Sequence, residues 1–262
     1  MKPIRVIPAG AGPIRVIPAL DLKDGRVVTG VNYLGLRDAG DPVECAIAYE
    51  QAGADELCLL DIMASHEGRG TTVSVVEQIT KAVSIPLTVS GGIRSVEDIE
   101  RLLEAGASKV GMTSPSIKRP ELISEAAAQF GSARVVSAVD AKRVADDRWE
   151  IYINGGRVAT GVDAVEFVVD AVRRGAGELL LNSMDCDGAK TGYDLALLRA
   201  VSSRVDVPVI ASSGAGTLEH FYEAVTQGGA QAVLAATLFH FGELTVGQVK
   251  QYLKERGIAV HA

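Results

Sequence analysis

Cysteine is scarce in this chain and scattered. Cys45, Cys58 and Cys186 are too few and too far apart for a disulfide framework or a zinc site, and they read as reduced, mostly buried small hydrophobes. Aromatic residues make up only 5%, with one Trp, at position 149. There is no basic tract: 26 Lys and Arg face 33 Asp and Glu for a net charge of -7, which lacks the electrostatic footprint of a nucleic-acid binder. A small anionic ligand then needs local backbone donors. No run approaches the ~18 apolar residues of a membrane span. The first twenty residues, broken by Pro and Gly, lack the apolar core of a signal peptide. The expectation is a cytoplasmic protein with no nucleic-acid or membrane partner. His66 and His240 have no metal-ligand neighbour at useful spacing and read as structural or loop residues, so neither a metal nor a cofactor is expected.

What the chain does have is alternation. Eight short β-rich runs, VIPALDL, ELCLLDI, IPLTVS, KVGMTS, RVVSAVD, ELLLNSM, VPVIASS and AVLAAT, are separated by about 20 to 45 residues, room for a crossover helix each time. Their nearly continuous apolar character fits parallel strands buried on both faces. The intervening helices carry their own punctuation: Asp41 then Pro42 as N-cap and first turn, Ser95 ahead of Val96, Ile99, Leu102 and Leu103, and Gly106 as the stop. Eight βα units in 262 residues predict an α/β fold, a single (β/α)8 barrel. An open doubly wound sheet is the rival. The stretch 146–156, DDRWEIYINGG, alternates like a hairpin inserted after the fifth strand.

The halves resemble each other at a period near 120 residues. IPLTVSGGI (85–93) aligns with VPVIASSGA (207–215), GASKVGMTS (106–114) with GAQAVLAAT (229–237), and LLD ending at Asp61 with LLN ending at Asn182. Asp21 then corresponds to Asp140, 119 residues on. In a barrel the active site lies at the C-terminal ends of the strands, so a polar residue directly after an apolar run is the place to look. Asp21, Asp61, Asp140, Asp185 and Asp187 qualify. A lone Asp there is more often a cap or loop hydrogen-bonder. The pseudo-equivalence of Asp21 and Asp140 favours a pair that divides acid and base roles. Gly91 and Gly92 with Thr113 and Ser114 form one candidate phosphate corner. Gly188, Ser213, Gly214, Ala236 and Thr237 form its counterpart. A ligand with a phosphate at each end explains both.

The segments LDLKDGRVVTGVNYLGLRDAGDPVE, GADELCLLDI, IPLTVSGGIRS, FGSARVVSAVDAKR, GAGELLLNSMDCDGAKTGYD and VPVIASSGAGTLEHFYEA resemble the cyclase subunit of imidazole glycerol phosphate synthase, of histidine biosynthesis, from about Ile14 onward. The resemblance implies a (β/α)8 barrel that joins ammonia to the bisphosphate PRFAR, giving imidazole glycerol phosphate and AICAR, with the ammonia delivered by a glutaminase subunit in a heterodimer. It places the catalytic aspartates on Asp21 and Asp140, the phosphate sites on the two corners, and substrate-loop carboxylates on Asp61 and Asp187. It places a charged ring gating an ammonia channel on Arg15, Glu56, Lys109 and Glu178. Departures from the family's pattern gather at the mouth: Ala19 for Cys, Thr29 for Lys, Met63 for Thr, Ser90 for Gly, Thr113 for Asn, DCDGAK with Cys186 and Ala189 for DRDGTK, and Ser213 for Gly. Ser108 also stands for an acidic residue that in the family faces the glutaminase. Thr29 removes a loop cation, and Ser213 adds a side chain where backbone should approach phosphate. A mouth re-specialised for another reaction, or a catalytically silent ammonia conduit or scaffold, therefore stands beside the cyclase reading.

The heptad PIRVIPA occurs twice, at 3–9 and 13–19. Only the second copy runs into Asp21. It is expected to begin the barrel domain, 13–262, and residues 1–12 to form an extension outside it.

Overall fold

The computed structural model describes residues 12–31, 34–63 and 73–261. The first PIRVIPA copy and His66 lie outside the described residues. The second copy enters β1 (Arg15–Lys23). Two antiparallel strands follow, β2 (Arg26–Val31) and β3 (Leu34–Gly40), then β4 (Leu57–Asp61), β5 (Leu87–Ser90) and β6 (Lys109–Met112). The second half repeats this plan with β7 (Val135–Ala145), the antiparallel pair β8 (Arg148–Ile153) and β9 (Val158–Asp163), then β10 (Glu178–Ser183), β11 (Val209–Ser212) and β12 (Ala232–Ala235).

Eight of these strands pair in parallel in the order β1, β4, β5, β6, β7, β10, β11, β12 and back to β1, closing a (β/α)8 barrel. All eight apolar runs read from sequence are barrel strands, and the open-sheet alternative is excluded by the β12–β1 and β7–β10 pairings that close the circle. Closure removes the exposed edges of an open sheet. The two antiparallel pairs are hairpins on β1 and β7, so each half carries one on its first strand, and 146–156 lies in the second of them.

Strand alternation sorts the side chains. In β1, Val16, Leu20 and Leu22 face the helical layer, while Ile17 and Ala19 join Cys58, Ile210, Ala232 and Leu234 in a separate apolar cluster inside the barrel. The helices that cover the outside start where the sequence marks them. Asp41 accepts from the Val43 and Glu44 N–H groups at the start of α1 (Pro42–Gln51), and Ser95 accepts from Asp98 N before the helix Val96–Glu104. Each such cap is worth about 1 kcal/mol. The last turn of chain ties back to the first strand, Ile14 N donating to Ala259 O at 2.8 Å.

Trp149 is fully buried in the second hairpin, its Nε1 donating to Asp194 Oδ2 at 2.9 Å with the Arg143 guanidinium 4.6 Å above the ring. Asp194 is also the N-cap of the helix Leu195–Ser202. One carboxylate thus fastens the hairpin and starts a helix. No helix among the described residues is long and apolar enough to cross a membrane.

Candidate active site

Asp21 and Asp140 occupy matching places in the two halves. Asp21 sits beside Leu60 of β4 on one side and Val28 of its hairpin on the other; Asp140 sits beside Asn182 of β10 and Tyr152 of its hairpin. Both line one cavity of about 490 Å³ at the C-terminal ends of the strands. Asp61, Gly91, Thr113, Ser114, Asp187, Gly188, Ser213, Gly214, Ala236 and Thr237 line the same cavity, while the neighbouring Gly92 is buried without lining it. The residues expected at the mouth are therefore brought together, and Asp185 is turned aside to accept from Arg143 N at 2.7 Å.

Each of the two carboxyls keeps partial exposure at the cavity wall, with protein packed closely around the rest of it. Burial, with the charge of Asp187 added, pushes Asp21 up to about 7. Burial also raises Asp140, opposed by the Asn182 amide and assisted by Asp187, to about 6. The difference has a local cause. Asn182 Nδ2 donates to Asp140 Oδ1 at 2.8 Å, and the matching position beside Asp21 is Leu60, which has nothing to donate.

Strand register also corrects the pairing of the halves. Leu60 faces Asp21 and Ser90, as Asn182 faces Asp140 and Ser212, so Asn182 corresponds to Leu60 and Ser183 to Asp61. The alignment of Asp61 with Asn182 was one residue out. Asp61 is buried at the end of its strand, Oδ1 accepting from Met63 N at 3.3 Å.

The corner hydroxyls are each held by a hairpin from the other half. Ser114 Oγ accepts from Asn154 N at 3.0 Å, and Thr237 Oγ1 meets Thr29 Oγ1 at 2.5 Å. Thr29, where the family resemblance leads one to expect a cation, is a buried hydroxyl partner. The positive groups lining the cavity are instead Arg37, over the Phe241 ring at 4.8 Å, and Lys190, paired with Glu243 at 2.6 Å.

The glycines have a packing reason of their own. A Cβ on Gly91 would lie 2.3 Å from the Asp61 carbonyl oxygen, and one on Gly214 would lie 2.1 Å from that of Gly192. Ser213, the counterpart of Gly91, carries its side chain at a left-handed φ of 70°. Its hydroxyl bonds Asn182 Oδ1 and lies 3.1 Å from Asp187 Oδ1, so the added side chain turns to polar neighbours within the mouth.

At the opposite pole, Arg15, Glu56, Lys109 and Glu178 form a closed four-membered ring. Arg15 bridges Glu56 at 2.7 Å and contacts Glu178; Lys109 bridges Glu56 at 2.8 Å and Glu178 at 2.6 Å. Thr88 Oγ1 adds a bond to Glu56 at 2.5 Å. Two cations and two anions leave no net charge in the ring. Glu56 and Glu178 are 2% and 4% exposed, so each depends on these partners.

His240 joins elements rather than chemistry: Nδ1 meets Tyr49 Oη at 2.7 Å and Nε2 meets Ala19 O at 2.9 Å. Among the described residues no group of three or more His, Cys, Asp or Glu side chains is arranged to hold a metal ion. Asn182 was not singled out as a site residue from sequence. Counting by twos along β10 from Glu178 at the ring gives 180 and then 182 as inward positions, which would have found it. The family described as "Histidine biosynthesis protein" matches residues 15–245, most of the barrel, and the chain belongs to that family.

Proposed function

We propose that this chain is the cyclase of an imidazole glycerol phosphate synthase, converting PRFAR and ammonia to imidazole glycerol phosphate and AICAR. The observation that carries this reading is the pair of aspartates at matching strand ends, facing one cavity, each held above the ordinary carboxylate range by burial. At neutral pH Asp140 is mostly ionised and serves as the base. Asp21, which burial raises without an amide donor to oppose it, serves as the acid. The cavity's two ends suit a bisphosphate: Gly91, Thr113 and Ser114 line one, with Gly92 buried behind them, and Gly188, Ser213, Gly214, Ala236 and Thr237 line the other. Arg37 and Lys190 supply positive charge at the mouth. Asp61 and Asp187 belong to the substrate-facing loops. Ammonia enters through the ring of Arg15, Glu56, Lys109 and Glu178, which opens when one of its four bridges parts, and a glutaminase subunit docked at that pole supplies it.

The test is consumption of PRFAR by the isolated chain in ammonium salts, followed by the fall in substrate absorbance. Asp21→Asn and Asp140→Asn are each expected to lower kcat by about 10²- to 10⁴-fold. Absence of turnover in the unmodified chain overturns the reading. A second reading, a mouth re-specialised for another ligand, draws on Thr29 and Ser213, whose hydroxyls are committed to Thr237 and to Asn182. It predicts no PRFAR turnover and no bisphosphate binding.

A further inference from the structure

The mouth contains a chain of side-chain hydrogen bonds that the acid–base assignment does not use. Asp140 Oδ1 accepts from Asn182 Nδ2, Asn182 Oδ1 accepts from Ser213 Oγ, and Ser213 Oγ lies 3.1 Å from Asp187 Oδ1. We propose that Ser213 is a positioning residue: its hydroxyl holds the Asn182 amide in the one orientation that points Nδ2 at Asp140. This deepens the cyclase reading and rests on it only for the meaning of Asp140 as a base.

The chemistry of the groups fixes the direction of the chain. An ionised carboxylate only accepts, so the amide must offer it nitrogen, and the oxygen then faces the other way and needs a donor. Ser213 is that donor. Ser212 Oγ, the other hydroxyl near Asn182 Oδ1, is 3.4 Å away and a poor substitute. With Ser213 silent, the amide oxygen loses its close donor, the amide is held at one end only, and its bond to Asp140 weakens.

A second feature sets Ser213 apart. It sits at a φ of 70°, a conformation that costs a non-glycine residue energy, and its counterpart in the first half is Gly91. A strained serine in place of glycine, with its hydroxyl in bonding range of two site residues, is what a positioning role requires. The hydroxyl has one proton to share between Asn182 and Asp187, and the shorter of its two contacts is the one to Asn182.

Among the described residues, the other titratable and charged groups around Asp140 are Asp21, Cys58, Asp61, Arg37 and Lys190 in the cavity, Glu243 on Lys190, and Tyr152 across the hairpin with Lys142 over its ring at 5.5 Å. None of them is bonded to the Asn182 amide in the contacts described above, but the Ser213 hydroxyl also touches Asp187, so its deletion has to be read with and without the Asn182 amide in place.

The experiment is a carbon-13 carboxyl titration of the full chain labelled at aspartate, with Asp140 assigned by Asp140→Asn. Ser213→Gly suits the left-handed backbone and removes only the hydroxymethyl group. The Asp140 midpoint, about 6, is expected to rise by about half a unit or more. The acidic limb of the kcat/KM profile with ammonium should move up with it. Asn182→Leu should give a shift of the same sign, and Ser213→Gly should add nothing on that background. An unmoved midpoint in Ser213→Gly, or a shift that persists with Asn182 already gone, overturns the proposal. If Ser213→Gly does not fold, Asn182→Leu alone decides, since an unmoved Asp140 there also overturns it. A chain that shows the shift but never consumes PRFAR keeps the positioning role and loses the cyclase reading. A chain that turns over without the shift does the reverse.

Discussion

In the first half-barrel the inward position beside the strand-end aspartate holds Leu60; in the second it holds Asn182. At the other pole the balance reverses. The first half supplies Arg15, Glu56, Lys109 and the supporting Thr88, whereas the second supplies only Glu178: Arg134, the counterpart of Arg15, is exposed in a short turn, and the counterparts of Lys109 and Thr88 are Ala232 and Ile210. Two halves with one backbone plan have divided the polar work, the first carrying the charged pole and the second the hydrogen-bonded mouth. Shared topology therefore fixes where an aspartate stands and that burial raises it, and the neighbour on the next strand adjusts one of the two downward.

The largest test of this division strikes the pole. Glu178→Ala removes the second half's only contribution and leaves Arg15 and Lys109 sharing Glu56. Breaking a buried ion pair on one side costs about 3 to 5 kcal/mol, read as a lowered midpoint in urea unfolding. Arg134→Ala, at the exposed counterpart of Arg15, should stay within about 0.5 kcal/mol of the parent. Equal effects would mean that the ring is not held by its geometry. The next test exchanges the corner residues. Gly91→Ser copies the second half onto the first, but its Cβ meets the Asp61 carbonyl and its φ is 94°, so a loss of about 2 to 4 kcal/mol is expected. Tolerance of that serine would show that the two corners are interchangeable after all.

The barrel itself was legible because parallel strands covered on both faces must be apolar almost throughout, and eight such runs recur with room for a helix between them. Asp41, Pro42 and Ser95 were legible for a similar reason: a helix start has few chemical solutions. The two aspartates followed from internal repetition. Asn182 was legible only by counting along β10 from Glu178 at the ring, because alternation by itself says which residues share a face and not which face looks inward. Aligning by identity also matched Asn182 to the chemically similar Asp61, when register matches it to Leu60. Ser213 was read as an obstacle to phosphate, since its bond to Asn182 spans 31 residues and leaves no local pattern.

A smaller effect separates the aspartates by pH. Asp21 holds its proton up to about 7 in the folded chain, against an ordinary 3.8. Between those values the unfolded chain has already released the proton, so the stabilisation contributed by neutral Asp21 is complete below about 4 and is lost as pH rises through 7. Asp21→Asn removes the buried charge that forms at high pH. It should raise stability by about 2 kcal/mol at pH 8 and by little at pH 4, measured by thermal unfolding at both. Asp140→Asn should gain less, because the Asn182 amide already favours the ionised form it replaces. A larger gain from Asp140→Asn would contradict the role given to Asn182.

The smallest expected effect is the most direct. Leu60→Asn writes the second half's arrangement into the first, setting an amide beside Asp21 where Asn182 stands beside Asp140. Leu60 already lines the cavity and is only partly buried, so the polar replacement loses little packing. An amide donating to Asp21 favours its charged form and should lower its midpoint from about 7 by up to about one unit, bringing it level with Asp140. Ser90 is the counterpart of Ser212, but Gly91 offers no hydroxyl where Ser213 does, so the new amide has no strong donor to hold its oxygen. The shift should therefore fall short of the one produced in the opposite sense by Asn182→Leu. If the two shifts were equal in size, the amide alone would account for the difference between the aspartates, and the hydroxyl behind it would be superfluous.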